Sequence, residues 1–263
     1  MIPSCYARNM YVLTFFSNLG NHPSPPPPRN EEDVRDAARL REELAKQREE
    51  TAELRARFAA LTSDLKRNKI GTFEELSNYD NRARKALVHL AQETAPAKLS
   101  GFNVALFGLT STGKSTMLNA LLGQNLAETG VGETTQKIKA YPGTGYTLWD
   151  VPGRNDELSY LSMEYVSFFK GLSKRLILIQ ATVKENLSLM KLLDELQLEY
   201  DIVFNKFDKV DDEDQQSVKE QIKREIASFG LQKASKVYFV SARNPKMFDD
   251  WHEMVNHLSK LNT

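Results

Sequence analysis

Gly108-Leu109-Thr110-Ser111-Thr112-Gly113-Lys114-Ser115 fits the pattern G-x-x-x-x-G-K-S/T. Its flanks decide its meaning. Phe102 to Phe107 is a short apolar run with a β-branched residue and aromatics, which reads as a buried strand. Thr116 to Leu122 reads as a helix stopped by Gly123. Strand, glycine-bounded loop and helix together make an anion site. Successive loop N–H groups form a concavity, and the helix N-terminus adds its positive dipole end. Gly108, Thr110, Ser111, Thr112, Gly113, Lys114, Ser115 and Thr116 are the expected phosphate contacts. Lys114 would reach the β- and γ-phosphates, and the Ser115 hydroxyl would ligate Mg²⁺.

Working outward, strands and helices alternate from residue 100 on. Strands are expected at Ile138–Tyr141, Tyr146–Trp149, Arg175–Gln180, Asp201–Phe204 and Val237–Val240. Helices are expected at Glu157–Leu172, Glu185–Leu198, Asp211–Phe229 and Pro245–Leu261. This alternation predicts an α/β fold, a mostly parallel sheet with helices on both faces. Ligands of such sheets sit beyond the C-terminal strand ends. Each chemistry-bearing motif here follows a strand, so all should meet in one crevice.

Asp150-Val151-Pro152-Gly153 is the first of these motifs. Asp150 suits Mg²⁺, and Gly153 can bring a backbone N–H against a γ-phosphate because no side chain intervenes. Asn205-Lys206-Phe207-Asp208 is more selective. A carboxylate at Asp208 accepts from both N1–H and the exocyclic amine of guanine. Adenine lacks that donor pair, and a lost charged hydrogen bond costs about 1.5–3 kcal/mol. The Lys206 stem can cover the base, and Asn205 can tie its loop to the phosphate loop. Ser241-Ala242 offers a backbone N–H for the guanine carbonyl. Gly130-Val131-Gly132-Glu133-Thr134-Thr135 stands where a nucleotide-sensing loop belongs. Thr134 and Thr135 both remain open there; Thr135 is preferred for completing the Mg²⁺ shell. The place after Gly153 holds Arg154 and Asn155, and neither is an obvious group for orienting water. Arg154 is either a surface residue or acts on a neighbouring copy's phosphates.

The segment before the sheet differs. Residues 1–30 contain no acidic residue and carry a proline tract from Pro23 to Pro28, which reads as a disordered tail. Residues 31–98 are expected to be helical, with the sheet domain running over 99–263. Ala37, Leu40, Leu44, Gln47, Thr51, Leu54, Phe58, Leu61 and Leu65 recur at alternating spacings of three and four, a heptad seam. A dimeric coiled coil and an amphipathic helix folded onto its own domain both fit this seam. Thr72 with Glu75 forms a capping box for a further helix that ends by Pro96.

The five motifs, in this order, resemble the translation-factor-type P-loop GTPases, the class that includes small G proteins. Within it, Gly130–Thr135, Trp149–Gly153, Tyr165–Phe169 and Leu176–Gln180 look most like the interferon-inducible, immunity-related GTPases. The resemblance implies a P-loop GTPase fold preceded by the helical segment. It also implies GTP and GDP as ligands with Mg²⁺, slow GTP hydrolysis, and Lys114, Thr135 and Gly153 around the reacting phosphate. It further implies self-association, an activating partner, and a cytoplasmic location with peripheral contact at intracellular membranes. Homodimerisation through the G domain or through residues 31–67 is the expected form. A scaffold that binds GTP without hydrolysing it, working through its coiled coil, is the alternative. The 35 basic and 35 acidic side chains cancel, so charge gives no case for nucleic acid. Cys5 alone excludes an intrachain disulfide framework. No apolar run reaches the ~20 residues of a membrane span.

Overall fold

The computed structural model describes residues 31–127, 138–152 and 160–260. The proline tract, the Gly130–Thr135 loop with both its threonines, and Gly153, Arg154 and Asn155 lie outside the described residues.

Helix α1 (Glu31–Arg67) is the charged heptad segment. Thr72 then caps α2 (Phe73–Tyr79): its hydroxyl accepts from the Glu75 N–H at 3.0 Å, and Glu75 accepts from the Thr72 N–H at 3.2 Å. The expected single helix up to Pro96 is broken. Asp80 is extended (φ −148°), and its carboxylate accepts from the Arg82 N–H at 2.7 Å to start α3 (Asn81–Glu93). An aspartate satisfies orphan N–H groups at a helix start better than it sits within a helix.

The sheet consists of β1 (Phe102–Phe107), β2 (Lys139–Pro142), β3 (Tyr146–Asp150), β4 (Lys174–Ile179), β5 (Tyr200–Phe204) and β6 (Ala234–Phe239). Its order is β2-β3-β1-β4-β5-β6, antiparallel only between β2 and β3. Around it lie α4 (Lys114–Leu122), α5 (Met163–Gly171), α6 (Leu187–Glu195), α7 (Asp212–Ser228) and α8 (Asp249–Lys260). Three of the expected helices start later than their apolar pattern does. Ser162 caps α5; a 3-10 turn, Val183–Asn186, precedes α6; and extended Phe248 separates the turn Pro245–Met247 from α8.

Because successive strand residues face opposite sides, β1 feeds two cores. Val104 and Leu106 pack with Met117, Leu118, Trp251 and Met254 beneath α4 and α8. Ala105 and Phe107 face the other layer, which includes Phe169 of α5 and Leu193 of α6. That second core runs without a break into Leu87 of α3, Leu76 of α2, and Phe58 and Leu65 of α1. The junction expected near residue 99 is thus a change of secondary structure within one continuous apolar core. The heptad seam divides. Leu54, Phe58, Leu61 and Leu65 pack on the chain's own core, whereas Leu40 is 60% and Leu44 52% exposed. The fold-back reading describes the lower half of the seam only.

The connection from α3 into β1 is held against α5. The Lys170 ammonium donates to the carbonyls of Ala91, Gln92 and Thr94. Ser167 donates its hydroxyl to the Ala95 carbonyl at 2.8 Å and accepts the Ala97 N–H at its own carbonyl at 2.8 Å. A Cβ at Gly171 would stand 2.5 Å from the Ala97 carbonyl oxygen, a backbone atom that cannot swing aside. Gly171→Ala should therefore destabilise the fold by about 2 kcal/mol or more, read as a lower denaturant midpoint.

At the far end of the sheet, Asp201 is 1% exposed, with Lys174 3.7 Å away and its Oδ1 without a hydrogen-bond partner. Burial pushes its carboxyl up from the usual range, against the pull of Lys174, His257 and Lys236. The folded state thus binds this proton more tightly than the unfolded chain. The stabilisation is complete below the unfolded carboxyl value of about 3.9 and is lost as pH rises through the folded one. Replacing Asp201 by Asn should flatten that decline, measured as melting temperature against pH on the acid side of neutrality.

Candidate functional site

The phosphate loop joins β1 to α4, and its shape rests on three residues with positive φ. Gly108 (φ 143°) and Gly113 (φ 89°) have no room for a Cβ, which would lie 2.7 Å from the Leu178 carbonyl oxygen and 2.5 Å from Asn205 Nδ2, respectively. Ser111 takes φ 70° between them. The Thr112 hydroxyl donates to the Leu109 carbonyl at 2.8 Å and closes the turn. Gly113 caps α4 without a side chain, so the helix's first N–H groups carry no side-chain cap. Lys114 is 8% exposed and donates to the carbonyls of Gly108 at 2.9 Å and Leu109 at 3.1 Å. Burial holds its ammonium below the ordinary lysine value, with Asp150 pulling the other way. Asp150 ends β3, directly beside β1, and is 2% exposed. Thr110 is exposed at the loop tip, and Ser115 and Thr116 are half-buried in the first turn of α4.

Asn205, beyond the end of β5, links three loops. Its Nδ2 donates to the Thr112 carbonyl at 2.8 Å, and its Oδ1 accepts the Ala242 N–H at 3.0 Å. The tie to the phosphate loop is the one expected from sequence. Of the two backbone N–H groups at Ser241-Ala242, that of Ala242 donates to Asn205. Lys206 (φ 61°) sends its ammonium to the Ser111 carbonyl at 2.6 Å and to Gln180 Oε1 at 3.0 Å, so its stem lies across the mouth of the loop. Asp208 accepts from Asn244 Nδ2 at 3.3 Å. Ser241 is buried and accepts the Asn244 N–H at 3.1 Å.

These loops border a cavity of about 810 Å³ lined by Gly113, Thr116, Asn205, Lys206, Asp208 and Ala242, among others. Its walls fit a nucleoside: an apolar-stemmed lysine at one side, a carboxylate at the base end, and a helix N-terminus toward the phosphates. Gly108, Thr110, Ser111, Thr112, Lys114, Ser115, Asp150 and Ser241 lie outside the cavity lining.

Sequence reading missed Gln180 and Asn244. Gln180 Nε2 donates to the Ser111 carbonyl at 2.9 Å while its Oε1 receives Lys206. Its signal is its place just after a buried strand, where the other motifs also stand. Asn244 offers no such pattern.

Residues 103–240 match the sequence profile of the 50S ribosome-binding GTPase family. The chain belongs to this family of P-loop GTPases. The match runs from β1 through the Asn205–Asp208 motif to the end of β6, so it spans the cavity's principal walls. Among relatives of this GTPase, the probable GTP-binding protein EngB of Mycoplasmoides gallisepticum is 31% identical over 119 residues, covering 40% of this chain and 63% of that one. The protein of the same description from Rhodopseudomonas palustris is 34% identical over 136 residues, 45% of this chain and 62% of that one. T-cell-specific guanine nucleotide triphosphate-binding protein 2 of Mus musculus is 30% identical over 147 residues, 52% of this chain and 35% of that one. The GTPase thus spans less than two thirds of each of these relatives.

Proposed function

We propose that the protein binds GTP and GDP with Mg²⁺ and hydrolyses GTP slowly, serving as a nucleotide-dependent switch. The observation that carries this reading is the Asn205 bridge. One buried side chain sets the base-reading loop, the phosphate loop and the Ser241-Ala242 loop at fixed distances. Asp208 reads guanine, Lys206 covers the base, and Ala242 supplies a small wall. Gly108 to Thr116 receive the phosphates, with Lys114 holding charge at the β–γ bridge. The Ser115 hydroxyl and Asp150 carboxylate are hard oxygen donors of the kind Mg²⁺ takes, and would hold it. Bound there, Mg²⁺ supplies charge neutralisation at the β- and γ-oxygens.

Thr135 and Gly153 enter this reading on sequence alone, as the γ-phosphate contacts that would order residues 124–137. Water attacks the γ-phosphorus in line, and GDP leaves with its charge held by Lys114 and the first N–H groups of α4. The slow rate follows from Arg154 and Asn155 standing where a water-orienting group would be. The immunity-related subfamily is part of this proposal, and the likeness to the mouse guanine nucleotide triphosphate-binding protein is what favours it; the cytoplasmic site of action rests on the sequence resemblance alone. Among the described residues no helix is long and apolar enough to cross a membrane. The charge balance gives no support to a nucleic-acid partner.

Single-turnover phosphate release from GTP tests the reading. The expected result is slow release that is lost with Lys114→Ala. Guanine-selective binding without release at any protein concentration would instead favour a GTP-binding scaffold, a reading supported by the uncovered upper half of α1.

A further inference from the structure

The upper half of α1 has an apolar stripe that its own domain leaves bare. Leu40 and Leu44 lie exposed on its seam, and they stand among charged residues. Set in heptads, Ala37, Leu44 and Thr51 take the first core position (a), and Leu40, Gln47 and Leu54 the second (d). The flanking positions then sort by sign. Asp36, Glu43 and Glu50 precede the a positions (g), whereas Arg41, Arg48 and Arg55 follow the d positions (e).

In a parallel two-stranded coiled coil each g side chain meets the e side chain five residues on in the other helix. That gives Asp36 with Arg41, Glu43 with Arg48 and Glu50 with Arg55, opposite in sign at every step. Antiparallel pairing would set acid against acid and base against base. The complementary series stops at Arg55, which lies 4.0 Å from Glu164 of its own chain, just where the seam turns inward at Leu54 and Phe58.

We propose that residues 34–51 form a parallel, in-register coiled coil with a second copy of this chain. Leu40 and Leu44 supply the attraction, and the flanking charges select the partner and the direction. The pairing face is also the face that docks on the domain below, so the two helices must part near Thr51. That residue's hydroxyl donates to the Gln47 carbonyl at 2.7 Å, a back-bond that bends helices. With two polar seam residues and so few heptads the pair is weak, with dissociation on the order of 10 µM. This inference is independent of the nucleotide reading.

Sedimentation equilibrium of the full chain in nucleotide-free buffer tests it. The expected result is a monomer–dimer equilibrium across the micromolar range that Leu44→Glu weakens by about tenfold or more. Neither Leu40 nor Leu44 supports the folded core, so the variants' thermal midpoints should not move. Glu43→Gln discriminates direction: it weakens a parallel dimer by removing an attraction and strengthens an antiparallel one by removing a repulsion. In a Cys5→Ser/Leu40→Cys chain, mild oxidation should give a covalent dimer. A chain that stays monomeric, a dimer strengthened by Glu43→Gln, or a failure to cross-link through position 40 would each overturn the proposal.

Discussion

Replacing Asp208 by Asn is expected to weaken GTP binding by about 100-fold or more and to improve binding of xanthosine triphosphate. Donors and acceptors on the base decide the outcome. Guanine presents N1–H and an exocyclic amine side by side, and a carboxylate accepts both. Asparagine keeps one acceptor and turns its amide N–H₂ toward the guanine amine, donor against donor. The bond to the amine, worth about 1.5–3 kcal/mol, is lost, and the bond to N1–H falls to roughly half its strength as a neutral one. Xanthine has a carbonyl in place of the amine, and an amide matches that pair. The change is nearly isosteric, and the side chain accepts a hydrogen bond only from Asn244 Nδ2 among the described residues, so the fold should be unaffected. Competition binding with GTP, ATP and xanthosine triphosphate measures the outcome. An unchanged GTP affinity would remove Asp208 from the base site.

Lys114→Ala should abolish measurable nucleotide binding, a loss of at least about 1000-fold from removing a buried cation at a polyphosphate. It should also lower stability by about 1 kcal/mol, because the Gly108 carbonyl loses the Lys114 ammonium, whereas the Leu109 carbonyl keeps the Thr112 hydroxyl. Lys114→Gln separates the two effects. A neutral amide can still donate to one carbonyl, so stability should largely return while binding does not. The lysine is already held below its ordinary value by burial, and phosphate oxygens would relieve that strain on the charge. Isothermal titration with GTP and a thermal melt of each variant check both halves.

The candidate site was largely legible because its parts are local. The Gly108–Ser115 loop, Asp150 and the Asn205–Asp208 run each combine a residue type with a strand end, and a parallel sheet collects strand ends on one side. Gln180 also stands at a strand end, but its role, like that of Asn244, was not legible, since their partners Ser111, Lys206 and Asp208 arrive only by folding. The same distinction accounts for the errors in the helices. Apolar periodicity marks which face is buried but not where a better cap interrupts it, as at Asp80 and Ser162. The heptad seam posed a harder problem. A stripe that packs on its own domain and one that packs on a partner need the same spacing, and α1 uses Leu54 to Leu65 for the first purpose while leaving Leu40 and Leu44 bare.

The ends of the sheet order bear on how copies of the chain can accumulate without aggregating. A sheet with open edges is a template for further strands. Here one outer strand, β2, has only four residues and finishes on Pro142, which has no N–H to offer, and starts on exposed Lys139. The other, β6, carries Lys236, which is paired with Glu253 of α8 at 2.6 Å. Short length, a proline and edge lysines are the devices that discourage strand addition. Fibril-like growth from the sheet is thereby discouraged at both ends, and orderly association is left to helical surfaces.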